Sequence, residues 1–361
     1  ELIRGAQRNI KIMLYQARFY EDYPGSDSNM LCDELVAAHK RGVHVMAVID
    51  ISDWNPENSE FNKDYAERLA SGGCEVYLDD PNITSHQKVM LVDDWVTLIG
   101  SVNWSHYAFN KNNEAAVVIW SAQVNAGLTE YFNDMMAASK RYLSPKYDPT
   151  KDVSGVTGEA AKEKTLTPVA NAEVELLANR DYFPGVKNAL LHAKKRVWVV
   201  QAQAIYYTSV PGHATRQQRM PGEAISQTNL LFDDLVIAHN RGVEVNVLLD
   251  LSDRFPEDNL DFERRLAQKG ITVYQDFPAT QTHTKMLVID DDKVVVGSTN
   301  WTYFALEEGN EASVLIQSPV IAQHYLQYID DLLKTSTRYE LPAELRDKMD
   351  SNESVPSPGA D

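Results

Sequence analysis

HQKVMLVDDWVTLIGSVNWSHYAFNKNNE, from His86 to Glu114, is answered 197 residues later by HTKMLVIDDDKVVVGSTNWTYFALEEGNE, from His283 to Glu311. Each stretch leads an apolar run into a pair of acids, Asp93-Asp94 or Asp290-Asp291, and out into a second apolar run, the pattern of a tight β-hairpin. Residues i and i+2 of a strand share a face, so His86 and Lys88 point together and Gln87 points away. A two-residue turn would set His86 opposite Ser101, with Asn103 on the same face as Ser101. His, Lys, Ser and Asn are thereby gathered at one end of a sheet, and this happens twice. Alternation turns Asp93 to the face opposite Lys88, so Asp93 and Asp290 are expected to shape the turn or hold neighbouring groups. Glu114 opens a third apolar run, Ala115–Trp120, and is expected to reach the His86 imidazole and fix its tautomer, as a carboxylate does in a hydrolase triad. Glu311 stands at the same place in the second stretch.

The repeat extends in both directions from these hairpins. Leu35–Val43 (LVAAHKRGV) recurs as Leu235–Val243 (LVIAHNRGV), Asp50–Asp53 as Asp250–Asp253, and Asn9–Tyr20 aligns with Arg196–Tyr207. Shifts in the offset place 13 extra residues of the second copy between Tyr207 and Leu235, within Thr208–Gln227, which carries His213, Arg216 and Arg219. That insertion reads as a surface loop or as a lid whose arginines meet an anionic group; Arg18 and Glu21, in and beside the matching loop of the first copy, carry less. Short apolar runs (Ile10–Leu14, Val43–Ile49) alternate with helical segments such as Met30–Arg41, which predicts an α/β architecture with helices on both faces of a sheet. The expected organisation is a first domain over 1–143, a linker over 144–167 rich in Pro, Gly, Lys and Asp, a second domain over 168–340 and a loose tail over 341–361. Glu1 aligns with Asn188, inside a helix of the second copy, so the first copy is expected to be incomplete and any signal peptide to lie outside the chain.

Composition narrows the function. The chain of 361 residues is 43% hydrophobic and 24% charged, which fits globular domains each with its own core. No stretch approaches the ~18 apolar residues of a membrane-spanning helix. Its 34 basic and 52 acidic residues give a formal charge of −18, which disfavours a nonspecific nucleic-acid binder, since that affinity comes from counterions released by Lys and Arg. Cys32 and Cys74 have neither disulfide-framework nor metal-site spacing and are expected to be buried thiols. A histidine beside a strand is ordinarily a packed or exposed residue; of the nine here, His86 and His283 stand apart because each arrives with Lys, Ser, Asn and Glu at fixed spacing. Trp104 and Trp301 suit either the cleft or the core, and Asp53 and Asp253 suit helix caps or turns.

His, one residue, Lys, four residues, Asp, then Gly-Ser-x-Asn resembles the HKD motif of the phospholipase D superfamily, which includes phospholipases, phosphatidyl transferases and nucleases. Both copies carry it, with Asn103 and Asn300 each 17 residues after the histidine. The resemblance implies two pseudo-twofold related α-β-α sandwich domains with both motifs at one site, no metal and no cofactor. It implies that His86 attacks phosphorus to give a phosphohistidine while His283 protonates the leaving oxygen. Lys88, Lys285, Asn103 and Asn300, supported by Ser101 and Ser298, would hold the nonbridging oxygens. One histidine neutral and the other charged implies a bell-shaped pH dependence. The expected substrate is a phospholipid or another phosphodiester, cleaved or transferred by a monomer in contact with a membrane surface. A single-strand nuclease is the alternative, and a non-catalytic binding protein is a third reading.

Overall fold

A computed structural model describes residues 1–146, 170–208, 226–252 and 256–345. The insertion arginines Arg216 and Arg219, Asp253, and most of the linker and tail fall outside the described residues. The first half holds β1 (Asn9–Leu14), β2 (His44–Ile49), β3 (Glu75–Leu78), β4 (Lys88–Val92), β5 (Val96–Gly100), β6 (Ala116–Trp120) and β7 (Lys140–Tyr142). The second holds β8 (Glu173–Ala178), β9 (Arg196–Gln201), β10 (Glu244–Leu249), β11 (Thr272–Gln275), β12 (Lys285–Ile289), β13 (Lys293–Gly297), β14 (Ala312–Gln317) and β15 (Thr337–Arg338). The sheets run β6-β5-β4-β1-β2-β3-β7 and β15-β11-β10-β9-β12-β13-β14-β8. Each is mixed. In the first, β1, β2 and β3 are parallel, while β4, β5, β6 and β7 add in antiparallel fashion. Strand β8 covers the outer edge of β14, and β6 has no such partner among the described residues.

Local chemistry accounts for the repeated segments. The helices Asp27–Lys40 and Gln227–Asn240 begin at Ser26 and Ser226, whose hydroxyls accept from the backbone N–H of Asn29 and Thr228. They end at the repeated Arg-Gly-Val, where Gly42 and Gly242 take φ of 94° and 91°, a conformation cheap only without a Cβ. In the hairpins Asp93, Asp94, Asp290 and Asp291 all sit at φ between 52° and 63°, tolerable for Asp and matched to the twist of the strands. The register differs from the expected two-residue turn. Val92 pairs with Val96 and Ile289 with Lys293, so one extra residue, Trp95 or Asp292, bulges from the ladder. The bulged carbonyls accept from the N–H of Ser121 and Ser318, which cap the next helices.

Alternation along the strands divides the apolar residues among three cores. Ile10, Ile12 and Leu14 face the helices Asp27–Lys40 and Pro56–Ser71 in one core. Val197, Val199, Leu287 and Ile289 face the corresponding helices of the second half in another. The opposite faces share a third. Met13, Val89 and Leu91 of the first sheet and Val200, Met286 and Val288 of the second close on the helices Ala122–Ala138 and Pro319–Leu333. The expectation of one private core per domain is therefore corrected: each half has an outer core, and the inner core belongs to both. Trp104 and Trp301 are core residues, 5% and 0% exposed, and Cys32 and Cys74 are buried thiols; burial pushes the Cys32 thiol up to about 12.

Candidate active site

The two hairpins end side by side because the halves exchange backbone hydrogen bonds just before each histidine. His86 N–H donates to the Asn310 carbonyl at 2.8 Å, and His283 N–H donates to that of Asn113 at 2.9 Å. The Asn310 amide donates to Ser85 Oγ, and the Asn113 amide to Thr282 Oγ1. Buried carboxylates fix the same residues from behind: Asp50 accepts from Ser85 N–H at 2.8 Å and Asp250 from Thr282 N–H at 2.7 Å. Burial raises both acids, Asp50 to about 6, beside the buried acids Asp79 and Asp276, each raised to about 7 by burial first and by its neighbouring aspartate second. These positioning acids were missed in the sequence, although Asp50 and Asp250 recur in the repeat and carried the signal.

This exchange overturns one expectation. Glu114 does not reach His86. Asn113 is pinned to the strand entering His283, so the next residue projects across the interface, and both Glu114 carboxylate oxygens lie 3.0 Å from His283 Nδ1. Glu311 in turn lies 3.0 and 3.1 Å from His86 Nδ1. Each histidine is oriented by the other half.

The serines also differ from expectation. Ser101 Oγ donates to Glu114 and accepts from Ala115 N–H; Ser298 Oγ donates to Glu311 and accepts from Ala312 N–H. With its proton committed to a carboxylate, neither hydroxyl can donate to a phosphate oxygen, so both act as positioning residues for the glutamates. The preceding Gly100 and Gly297 run so close to β6 and β14 that a Cβ would collide with the Ala115 and Ala312 carbonyls.

The histidine rings face each other with centroids 6.5 Å apart and planes at 78°. Lys88 and Lys285 are buried beside them, each ammonium donating to the carbonyl of its own histidine. Asn103 and Asn300 each leave a side-chain oxygen buried without a partner among the described residues, an acceptor unspent there. Asp93 and Asp290 lie at the far end of the hairpins. Asp93 accepts from the N–H groups of Gln7, Arg8 and Asn9, and Asp290 from those of Lys194, Lys195 and Arg196. Tyr15 packs its ring 4.6 Å from that of His86, under the Lys88 ammonium, where the aligned residue of the second copy is Ala202. Neither tyrosine nor alanine stood out in the sequence.

Burial pushes His86 down to about 4, with Lys88 adding and Glu311 opposing; it pushes His283 down to about 3, with Lys285 adding and Glu114 opposing. Burial also holds Lys88 well below the ordinary lysine range. Glu114 is raised by burial, but the His283 imidazole and Lys285 outweigh that and hold it below the usual carboxylate range. Both imidazoles are thus neutral near pH 7, with Nδ1–H donated to a carboxylate and Nε2 bearing a lone pair. The expected resting pair of one neutral and one charged histidine is not what this environment favours. A phosphodiester anion about 4 Å from an imidazole contributes about 4 kcal/mol at an effective dielectric of about 20, or about three pH units, enough to bring one imidazole back near neutrality. A group whose proton is required is lost as pH rises through its pKa. The alkaline limb of kcat is therefore expected near neutral pH, and that of kcat/KM up to about three units lower. Parallel pH profiles of the two parameters check this; coincident limbs would contradict it.

Paired His-Lys-Asn sets at the meeting ends of two related sheets define the phospholipase D class. The family model for the cardiolipin synthase PLD-like domain matches residues 1–136 and 186–333, and the chain belongs to that family. Cardiolipin synthase A of Salmonella arizonae is 22% identical over 358 residues, covering 92% of this chain and 66% of the relative, so the chain spans just under two thirds of that protein. Among solved structures, phosphatidylserine synthase of Haemophilus influenzae is 13% identical with a TM-score of 0.67, over 97% of this chain and 88% of that one. Polyphosphate kinase of Porphyromonas gingivalis is 12% identical with a TM-score of 0.55, over 96% of this chain and 50% of that one. These two share the fold.

Proposed function

We propose that the chain cleaves or transfers a phospholipid phosphodiester through a phosphohistidine. The observation that carries this reading is the confrontation of His86 and His283 at 6.5 Å, each held through Nδ1 by a carboxylate of the other half. His86 Nε2 attacks phosphorus, the P–O bond to the alcohol breaks, and the imidazolium proton of His283 passes to the leaving oxygen. Neutral His283 then takes a proton from water or an alcohol as that oxygen attacks phosphorus and the P–N bond breaks. Lys88, Lys285, Asn103 and Asn300 hold the nonbridging oxygens as charge grows on them. Both histidines lie on one chain, so a monomer suffices.

Lipid is favoured over nucleic acid as substrate by the matched family and by the formal charge of −18, which opposes approach of a polyanion. Among the described residues no helix is long and apolar enough to cross a membrane. Purified protein is expected to release headgroup from mixed micelles of phosphatidylglycerol or cardiolipin, and with added glycerol to form the transfer product. Efficient cleavage of single-stranded DNA at physiological salt with every phospholipid left intact would replace this reading by the nuclease one.

A further inference from the structure

The catalytic residues obey the pseudo-twofold symmetry; the walls of the cleft do not. A cavity of about 750 Å³ opens onto His283 and Asn103 and is walled by Arg18, Phe61, Lys111 and the exposed Glu57. The Arg18 guanidinium lies 3.8 Å from the centroid of Phe61 and 5.0 Å from that of Tyr20. Stacking of this kind fixes the planar group and leaves its N–H edge free to donate. No carboxylate of the described residues uses that edge, and Lys111 also has no ion pair among them, although the chain carries 52 acids. Nearby Glu21 is spent on Arg68 instead.

The repeat carries other residue types at the equivalent described positions. Arg18 and Ile205 are structurally equivalent, since their backbone N–H groups donate at 2.9 Å to the carbonyls of Trp104 and Trp301 respectively. Ile205 is buried at 2% exposure. By the same alignment Lys111 corresponds to Glu308, and Phe61, the platform for Arg18, to Asp258. Among the described residues, Arg18 and Lys111 thus line the approach to His283 at positions where the second half has Ile205 and Glu308.

We propose that Arg18, supported by Lys111, forms a subsite for a second oxyanion, a phosphate or a carboxylate, carried by the alcohol portion of the diester. The proposal rests on the phosphodiesterase reading in one respect: the cavity reaches His283, the residue that protonates that alcohol. The guanidinium fork matches two oxygens of such a group, whereas a neutral headgroup offers it nothing comparable. The subsite thereby selects among headgroups that the symmetric His-Lys-Asn machinery treats alike.

Calorimetric binding of three soluble diesters to full-length protein tests this, in a His86→Asn background that prevents turnover. Glycerophosphoglycerol carries only the diester charge, glycerophosphoserine adds a carboxylate, and deacylated cardiolipin adds a second phosphate. At least one of the latter two is expected to bind about tenfold more tightly than the first, the size of one charge-assisted contact. Which of them does so identifies the anion. Arg18→Gln should reduce the preference to within about twofold, and Arg18→Lys should retain part of it. Because the readout is a ratio of affinities measured on one preparation, partial misfolding of a variant cancels. Equal affinities for all three in the unsubstituted Arg18 protein, or a preference that survives Arg18→Gln, would overturn the subsite. Failure of the parent protein to turn over any phospholipid would count against the catalytic reading instead, and leaves these affinities to decide the role of Arg18.

Discussion

Replacing either His86 or His283 by asparagine is expected to lower turnover by about 10⁴ to 10⁶-fold, and the double variant should be little worse than either single one. The reason lies in the geometry. The two rings face one another with centroids 6.5 Å apart, and in the proposed reaction each supplies a different half of one step. Removing the nucleophile leaves nothing to form the P–N bond, and removing the acid leaves the departing alkoxide unprotonated. Groups acting on one event are grossly non-additive, whereas two independent centres would each keep about half the activity when the other is removed. Residual activity near one half in both single variants would exclude the shared site. Asparagine is the appropriate replacement because it keeps a polar group of similar reach beside Glu311 or Glu114 and avoids an empty buried volume.

The second large effect is expected from the crossed glutamates. Glu114→Gln should reduce turnover by up to about 10⁴-fold, the scale on which tautomer control matters when a carboxylate orients a catalytic imidazole. The defect should appear at His283 although Glu114 lies in the same sequence motif as His86. Glu114 opposes the burial that pushes His283 down, so its loss should lower the His283 pKa further. In nitrogen-resolved spectra of the imidazoles, the His283 ring should change tautomer or titration, and the His86 ring should keep the signature set by Glu311. The opposite pattern would show that each glutamate serves the histidine of its own motif, and the exchange across the interface would have to be abandoned.

The hairpins and their acidic turns were legible in the sequence because they depend on local rules: period-two alternation along the strands and a pair of acids between two apolar runs. The repeat made them doubly legible. His86 with Lys88, and His283 with Lys285, follow from alternation alone. The extra bulged residue, Trp95 or Asp292, was not foreseen, because nothing in either pair of apolar runs distinguishes a two-residue turn from one with a bulge. The same holds for Ser101 and Ser298. Their types suit a phosphate or a carboxylate equally, and only the neighbour across the strand decides which takes the proton.

By itself the sequence determined that two similar α/β halves each carry a His-Lys-Ser-Asn-Glu set, since each set lies within 29 residues and local geometry holds it together. The tertiary structure alone decided which half serves which. Glu114 belongs to His283, Glu311 to His86, the inner core to both sheets, and the stacked Arg18 to the approach toward His283. These pairings join residues far apart in the chain across a pseudo-twofold axis, and two nearly identical sets look alike along the sequence. The hydrogen bonds from His86 to Asn310 and from His283 to Asn113 cross the halves and so fix the partner of each glutamate.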